Sequence, residues 1–172
     1  MQEKIDWVDY YLGLAFFIAQ KSPDIHTKHG AIITDSENRP LGFGFNGFPR
    51  KAKDDNYLKE HKTSRPVKYL WQFHSEVNAL ANCIIKPKNA IAYVTGQCCQ
   101  NCLYSLWQNG VETVYMVDGH GSHLITEEHL EWEKEFVEQT GIKIFKVKPN
   151  LNWTKPVYQK LEKFQKDVEI GF

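Results

Sequence analysis

Two short motifs, His74-Ser75-Glu76 and Cys99-Gln100-Asn101-Cys102, constrain this chain more than anything else in it. A strand-like run, Ala90 to Thr95, lies between them, so any fold must bring the ends of two elements together across a strand. Cysteines three apart at the start of a helix project both sulfurs from one face. A helix N-terminus and a bound cation both favour the thiolate, the form that ligates metal. His74, at the mouth of the preceding helix, offers a third ligand. Glu76 points elsewhere and is better used on a proton than on the metal. Structural zinc sites usually close with four protein ligands, whereas catalytic ones keep three and leave a position for water. The pattern therefore predicts a catalytic Zn2+ site on His74, Cys99 and Cys102. The competing arrangement is a structural site closed by Cys98 or Cys83. Cys83 reads better as a buried apolar residue on the same helix as Glu76.

Composition narrows the setting. The 172 residues are enough for one domain with a real core. Lysine plus arginine balances aspartate plus glutamate at 21 each. With no net field to attract nucleic acid or a membrane, a small-molecule substrate is expected. Four cysteines, three of them clustered, are a poor disulfide framework and a good metal site. Neither an apolar leader nor a membrane-length apolar run is present, which predicts a soluble, cytoplasmic protein, in the host cytoplasm if viral.

Patterning supplies the elements. Asp6 can cap a first helix whose apolar face is Trp7, Tyr11, Leu14 and Ile18, and Ser22-Pro23-Asp24 ends it. Gly30 to Thr34 and Pro40 to Asn46 read as a hairpin around Asp35-Ser36-Glu37-Asn38. Phe48 to Lys68 is polar and aperiodic, a long loop of the kind that usually has a function. A helix from about His74 should bury Val77, Leu80 and Ala81. Strand Ala90 to Thr95, a helix from the C-x-x-C to about Gln108 and strand Val111 to Val117 follow. Helix Glu127 to Gln139 and strand Ile142 to Val147 complete the alternation, which predicts an α/β layered sheet with helices on both faces. After Pro149, Trp153, Val157, Leu161, Phe164 and Val168 step by four, four, three and four. That is an amphipathic helix, expected to pack on its own subunit, with a subunit contact as the alternative.

H-x-E followed by C-x-x-C is the established signature of zinc deaminases, and the match here is to that known pattern. Zinc brings the pKa of a bound water toward neutrality. A neighbouring carboxylate can then take a proton and pass it to a ring nitrogen and to a leaving amine.

Beyond these motifs the chain resembles the deoxycytidylate (dCMP) deaminase family, within the cytidine deaminase-like superfamily, from Trp7 to about Pro149. The likeness is carried by Asp6-Trp7 through Ala15 and Ala19, Ser22-Pro23-Asp24, Gly30-Ala31-Ile32-Ile33, and Gly44-Phe45-Asn46-Gly47-Phe48-Pro49. It continues through Asp54-Asp55, Lys68-Tyr69, His74 to Leu80, and Tyr93-Val94-Thr95. The resemblance implies a three-layer α/β/α cytidine deaminase-like fold around a mixed five-stranded sheet. It implies one deaminase domain over 1–172, with 150–172 as a helical extension. The activity it implies is hydrolytic deamination of dCMP to dUMP with release of ammonia, a zinc-bound hydroxide attacking C4 while Glu76 shuttles protons. Asn46 is then expected to contact the sugar, although it also suits a turn before Gly47. The backbone around Ser75, where alanine is usual, is expected at the base carbonyl. Arg50, with Lys51 and Lys53, is the candidate for the 5′-phosphate. The family further implies a homo-oligomer, commonly a hexamer, and dCTP and dTTP as effectors.

Four departures qualify that picture. Cys98 stands where proline usually precedes the C-x-x-C. Gly96 and Gln97 replace bulkier residues. Asp118-Gly119-His120-Gly121-Ser122-His123 replaces an aromatic, charged segment. The glycine often found before the paired aspartates is missing. Other substrates therefore stay open: a modified cytosine nucleotide, cytidine or deoxycytidine, or adenosine in tRNA. So does a catalytically silent nucleotide-binding zinc protein. The tail lysines Lys155, Lys160, Lys163 and Lys166 are the only support for a tRNA substrate.

Overall fold

A computed structural model describes residues 4–52, 66–120 and 126–169, with side chains described as far as 165. The elements in chain order are α1 (Trp7–Ala19), β1 (Gly30–Thr34), β2 (Pro40–Phe45), α2 (Lys68–Trp71), α3 (Ser75–Ala81) and β3 (Ala90–Val94). α4 (Gln100–Gln108), β4 (Val111–Val117), α5 (Glu127–Thr140), β5 (Lys143–Val147) and α6 (Thr154–Glu169) follow. The strands form one mixed sheet in the order β2-β1-β3-β4-β5. β1 is antiparallel to both β2 and β3, while β3, β4 and β5 run parallel. The α/β architecture, the mixed five-stranded sheet and the helices on both faces are as the sequence predicts. Among the described residues, no helix is long and apolar enough to cross a membrane.

Side chains alternate along each strand, so each strand feeds two cores. Ala31, Ile33, Ala92, Val94, Val114 and Met116 face one side, where they meet Ala79, Leu103, Leu106 and Phe136 from α3, α4 and α5. Ile32 and Tyr93 face the other side, where α1 covers them with Tyr11, Leu12 and Ala15. An aromatic row crosses this second face: Tyr11 stacks on Tyr93 at 4.9 Å, Tyr93 on Tyr115 at 5.5 Å and Tyr115 on Phe145 at 5.0 Å.

Asp6 caps α1 by accepting the Val8 N–H at 2.8 Å. The buried face is Tyr11, Leu12, Gly13, Ala15 and Ala19; of the expected stripe only Tyr11 is fully buried, while Trp7 is 45% exposed and Leu14 and Ile18 are half-buried. The helix is apolar nearly all round, so hydrophobicity does not choose its face. Close approach does: a Cβ on Gly30 would lie 2.1 Å from the Ala15 carbonyl oxygen. A similar correction applies to α3, which buries Ser75, Glu76 and Ala79 and leaves Ala81 exposed, with Val77 and Leu80 half-buried. It lies directly on β2, where a Cβ on Gly44 would come within 2.3 Å of the Ala79 nitrogen and one on Gly42 within 2.7 Å of the Ala79 oxygen. The glycines of β2 thus let the site-bearing helix press onto the sheet.

Cys83 lies beyond the end of α3, half-buried, with its thiol 3.3 Å from the Ala79 oxygen. The long-loop expectation is tested only at its ends, because 53–65, with Lys53, Asp54 and Asp55, lies outside the described residues. At its far end the expected loop gives way to the short helix α2. α6 forms as expected but does not pack its apolar face along the body. Trp153 lies over Gly13 and 5.5 Å from Tyr10, and Tyr158 stacks on Phe17 at 5.3 Å. Leu161 and Phe164 remain exposed.

Candidate active site

Antiparallel pairing puts the end of β2 beside the start of β1, and β3 and β4 finish at the same edge. The N-termini of α3 and α4 meet there. His74 is the N-cap of α3 and Cys99 the N-cap of α4, both in extended conformation with no side-chain capping bond. Their side chains turn toward each other instead. The segment before His74 is pinned by a two-way backbone bridge, Phe73 N–H to Gly47 O at 2.8 Å and Gly47 N–H to Phe73 O at 3.1 Å. Gly47 thereby aims the histidine.

His74 Nδ1 lies 3.4 Å from Cys99 Sγ and 3.3 Å from Cys102 Sγ. All three ligand atoms fall within 4.8 Å of one another. Zinc–sulfur and zinc–nitrogen bonds of about 2.3 and 2.0 Å in a tetrahedron place such donors roughly 3.5 Å apart, so the set fits one Zn2+. Cys102 is buried, and Cys99 and His74 are half-buried. A hydrogen bond from Cys102 is the main cause holding the Cys99 thiol down at about 4; His74 assists and burial opposes. The same bond, then burial, pushes Cys102 up, and the bond to Cys99 raises His74. A thiolate is thus stabilised where a cation is wanted.

Neither proposed fourth ligand joins this group. The fully buried Cys98 has its thiol against the Glu76 carboxylate and is pushed well up by burial and by that neighbour. Its backbone N–H donates to Met116 Sδ at 3.1 Å. Glu76 is only 4% exposed, and its Oε2 accepts the Ser75 hydroxyl at 2.8 Å. The Ser75 hydroxyl therefore orients the carboxylate, a role that an alanine there cannot fill.

Asn46, just past β2, is buried and engaged on both sides of its amide. Its Oδ1 accepts the His29 N–H at 2.8 Å, and its Nδ2 donates to Thr27 O at 2.9 Å and Gln72 Oε1 at 3.3 Å. Arg50 is exposed on the turn after Pro49, and Lys51 is exposed beside it at φ 71°. The structure brings His74, Glu76, Ser75, Cys99 and Cys102 together, with Asn46 at the adjoining strand end and Arg50 out on the surface.

Sequence reasoning missed two features beside this cluster. Lys68 reaches the fully buried Asp24 at 2.9 Å. Burial by itself would raise the Asp24 pKa, but the Lys68 bond and the Thr27 and His26 N–H groups outweigh it and leave it lowered. A depressed carboxylate stabilises the fold above its unfolded pKa of about 4, and the gain is lost as pH falls through the lower folded value. Lys68→Met is expected to cost about 3 kcal/mol at pH 7, because it strands a buried charge. The penalty should shrink below pH 4 as Asp24 protonates, which urea titrations at both pH values will show. The second feature is a histidine pair, His29 and His120, whose rings lie 5.1 Å apart at the ends of β1 and β4. The Asp118–His123 segment had signalled something at this place, but nothing in its spacing pointed to His29.

A three-ligand His/Cys/Cys set with an adjacent buried carboxylate, at the edge of a mixed α/β sheet, defines a zinc-binding centre of the deaminase type. The family model for the cytidine and deoxycytidylate deaminase zinc-binding region matches residues 5–118, and the chain belongs to that family. Among curated relatives, deoxycytidylate deaminase of Pongo abelii is 33% identical over 118 residues, which are 66% of this chain and 66% of that protein. The human deoxycytidylate deaminase is 32% identical over the same shares. The chain thus spans just under two thirds of the length of these relatives. Deoxycytidylate deaminase of Mycobacterium phage D29 is 29% identical over 63% of this chain and 92% of its own. The crystal structure of dCMP deaminase from cyanophage S-TIM5 in complex with dCMP and dUMP aligns with a TM-score of 0.63 at 23% identity. That alignment covers 85% of this chain and 100% of the phage protein, and it bears on the fold alone.

Proposed function

We propose that this protein is a zinc-dependent hydrolase that deaminates dCMP to dUMP and releases ammonia. The observation that carries the reading is Glu76, buried beside an open three-ligand set of His74, Cys99 and Cys102. Zinc held by those residues supplies an acidified water at neutral pH. Glu76 would carry one proton from the attacking water to the pyrimidine ring nitrogen and then the remaining hydroxyl proton to the departing amine, which leaves as ammonia. Ser75 keeps the carboxylate oriented through its hydroxyl. Backbone at Ser75 meets the base carbonyl, and Asn46 approaches the sugar through the acceptor capacity its His29 bond leaves free.

The deoxycytidylate deaminases among the relatives support the choice of substrate. Four free cysteines suit a reducing, cytoplasmic setting. The exposed Leu161 and Phe164 of α6 suit a homo-oligomer, and dCTP and dTTP are its proposed effectors. The test is ammonia release from dCMP, CMP, 5-substituted dCMPs, deoxycytidine and dCTP by the zinc-loaded protein. dCMP is expected to be the preferred substrate; no ammonia from any cytosine compound would sink the reading.

A further inference from the structure

The histidine pair has a construction that packing alone does not explain. His120 Nδ1 is hydrogen-bonded to the Thr95 carbonyl oxygen. A carbonyl only accepts, so Nδ1 carries a proton and Nε2 is the nitrogen left for a ligand. His29 Nδ1 sits 3.4 Å from the Thr95 hydroxyl, whose oxygen already accepts the Gly30 N–H at 3.0 Å. The hydroxyl keeps its own proton to donate, and a bond from it to His29 Nδ1 leaves the ring proton on Nε2. Thr95, just past β3, thus meets the Nδ1 atoms of two rings that lie 91 positions apart in the chain.

Space for the pair has been cleared. A Cβ on Gly96 would meet His29 at 2.5 Å from Cε1 and 2.7 Å from Nδ1. The glycine standing where bulkier residues are common is what admits the His29 ring. Phe16 of α1 backs His120 at 5.6 Å, and the His120 oxygen accepts the Gln97 N–H at 3.1 Å. The buried Gln97 Nε2 has no hydrogen-bond partner among the described residues. An unmatched buried donor is costly unless an acceptor arrives. The pair also borders the proposed reaction centre: the His29 N–H donates to Asn46, and Lys68, Asp24 and His74 all lie near enough to affect His29 electrostatically. Lys68 is already paired with Asp24 at 2.9 Å, so it is the two imidazoles that face a ligand here.

We propose that His29 and His120, oriented by Thr95 and admitted by Gly96, bind the phosphate of the nucleotide substrate. A phosphomonoester has oxygens enough to engage both Nε2 atoms at once. This assignment rests on the deaminase reading for the identity of the nucleotide, but not for the presence of a phosphate site.

The experiment uses the zinc-loaded full chain and its His29→Gln, His120→Gln and Gly96→Ala variants. Titration calorimetry compares dUMP with deoxyuridine, and inorganic phosphate is used as a competitor. Each histidine variant should weaken dUMP by about 10- to 100-fold, the scale of one charge-assisted hydrogen bond, and leave deoxyuridine within about twofold. Gly96→Ala removes no donor but displaces the His29 ring, and it should reproduce the loss. Turnover should follow as a raised KM for dCMP with kcat nearly unchanged. Equal weakening of dUMP and deoxyuridine means the rings only pack, and it overturns the proposal. So does unchanged dUMP binding in the variants, or wild-type protein that binds dUMP no better than deoxyuridine. If wild type releases no ammonia from dCMP yet loses dUMP binding in the variants, the reaction is misassigned and the phosphate site stands.

Discussion

Glu76→Gln is expected to lower kcat for ammonia release by at least about 1,000-fold while the protein keeps its full zinc. General acid–base groups contribute on the order of 100- to 10,000-fold, and this one is asked to move protons in more than one step. The amide matches the carboxylate in size and can still accept from Ser75, so the surroundings of the buried side chain are kept. The ligand set is untouched, because His74 Nδ1, Cys99 Sγ and Cys102 Sγ make up the metal group without Glu76. Metal content by atomic emission and kcat under saturating substrate therefore separate the two roles. Full activity in the variant would remove Glu76 from the mechanism; loss of zinc would make it a ligand.

Cys102→Ser should do the reverse. It preserves volume at a buried position but replaces a soft thiolate by a hydroxyl that seldom ligates zinc. Stoichiometric zinc is expected to fall below about a tenth of a mole per mole after dialysis against a mild chelator, with activity falling in proportion. Stability should report the same event. A ligand bound only by the folded state stabilises it by about 2.7 kcal/mol at a hundredfold excess over Kd. Wild-type Tm should therefore rise with added zinc, and the variant's Tm should not. A zinc-dependent Tm in Cys102→Ser would show that another residue, with Cys98 nearest at hand, can complete the site.

The clustering of His74, Cys99 and Cys102 was legible because metal chemistry demands fixed residue types at short spacing, and the helix–strand–helix order brought His74 to the C-x-x-C. Strand positions were legible for a similar reason: Val111 to Val117 lies where its apolar run placed it. Helix faces were harder. In α1 and α3 the buried side is chosen by glycines on the neighbouring strands, Gly30 and Gly44, and a helix's own periodicity contains no record of them. Nor does local pattern reveal a partnership such as Lys68 with Asp24 or His29 with His120, where the members are 44 and 91 positions apart in the chain. α6 was read correctly as amphipathic, yet the period of an apolar face does not say whether anything lies against it.

The sheet itself has a consequence for how such a protein can change. Helices α3 and α4, which carry the metal ligands, lie on one face, while α1, whose Phe16 backs His120, covers the other. Five strands of close-packed side chains stand between the two layers, and the site lies where both reach the edge near Thr95. With the phosphate site proposed above, substitutions beneath α1 would act on recognition from the layer opposite the His74, Cys99 and Cys102 cluster. Such a plan would let recognition be altered in small steps while the His/Cys/Cys cluster on the other layer is kept.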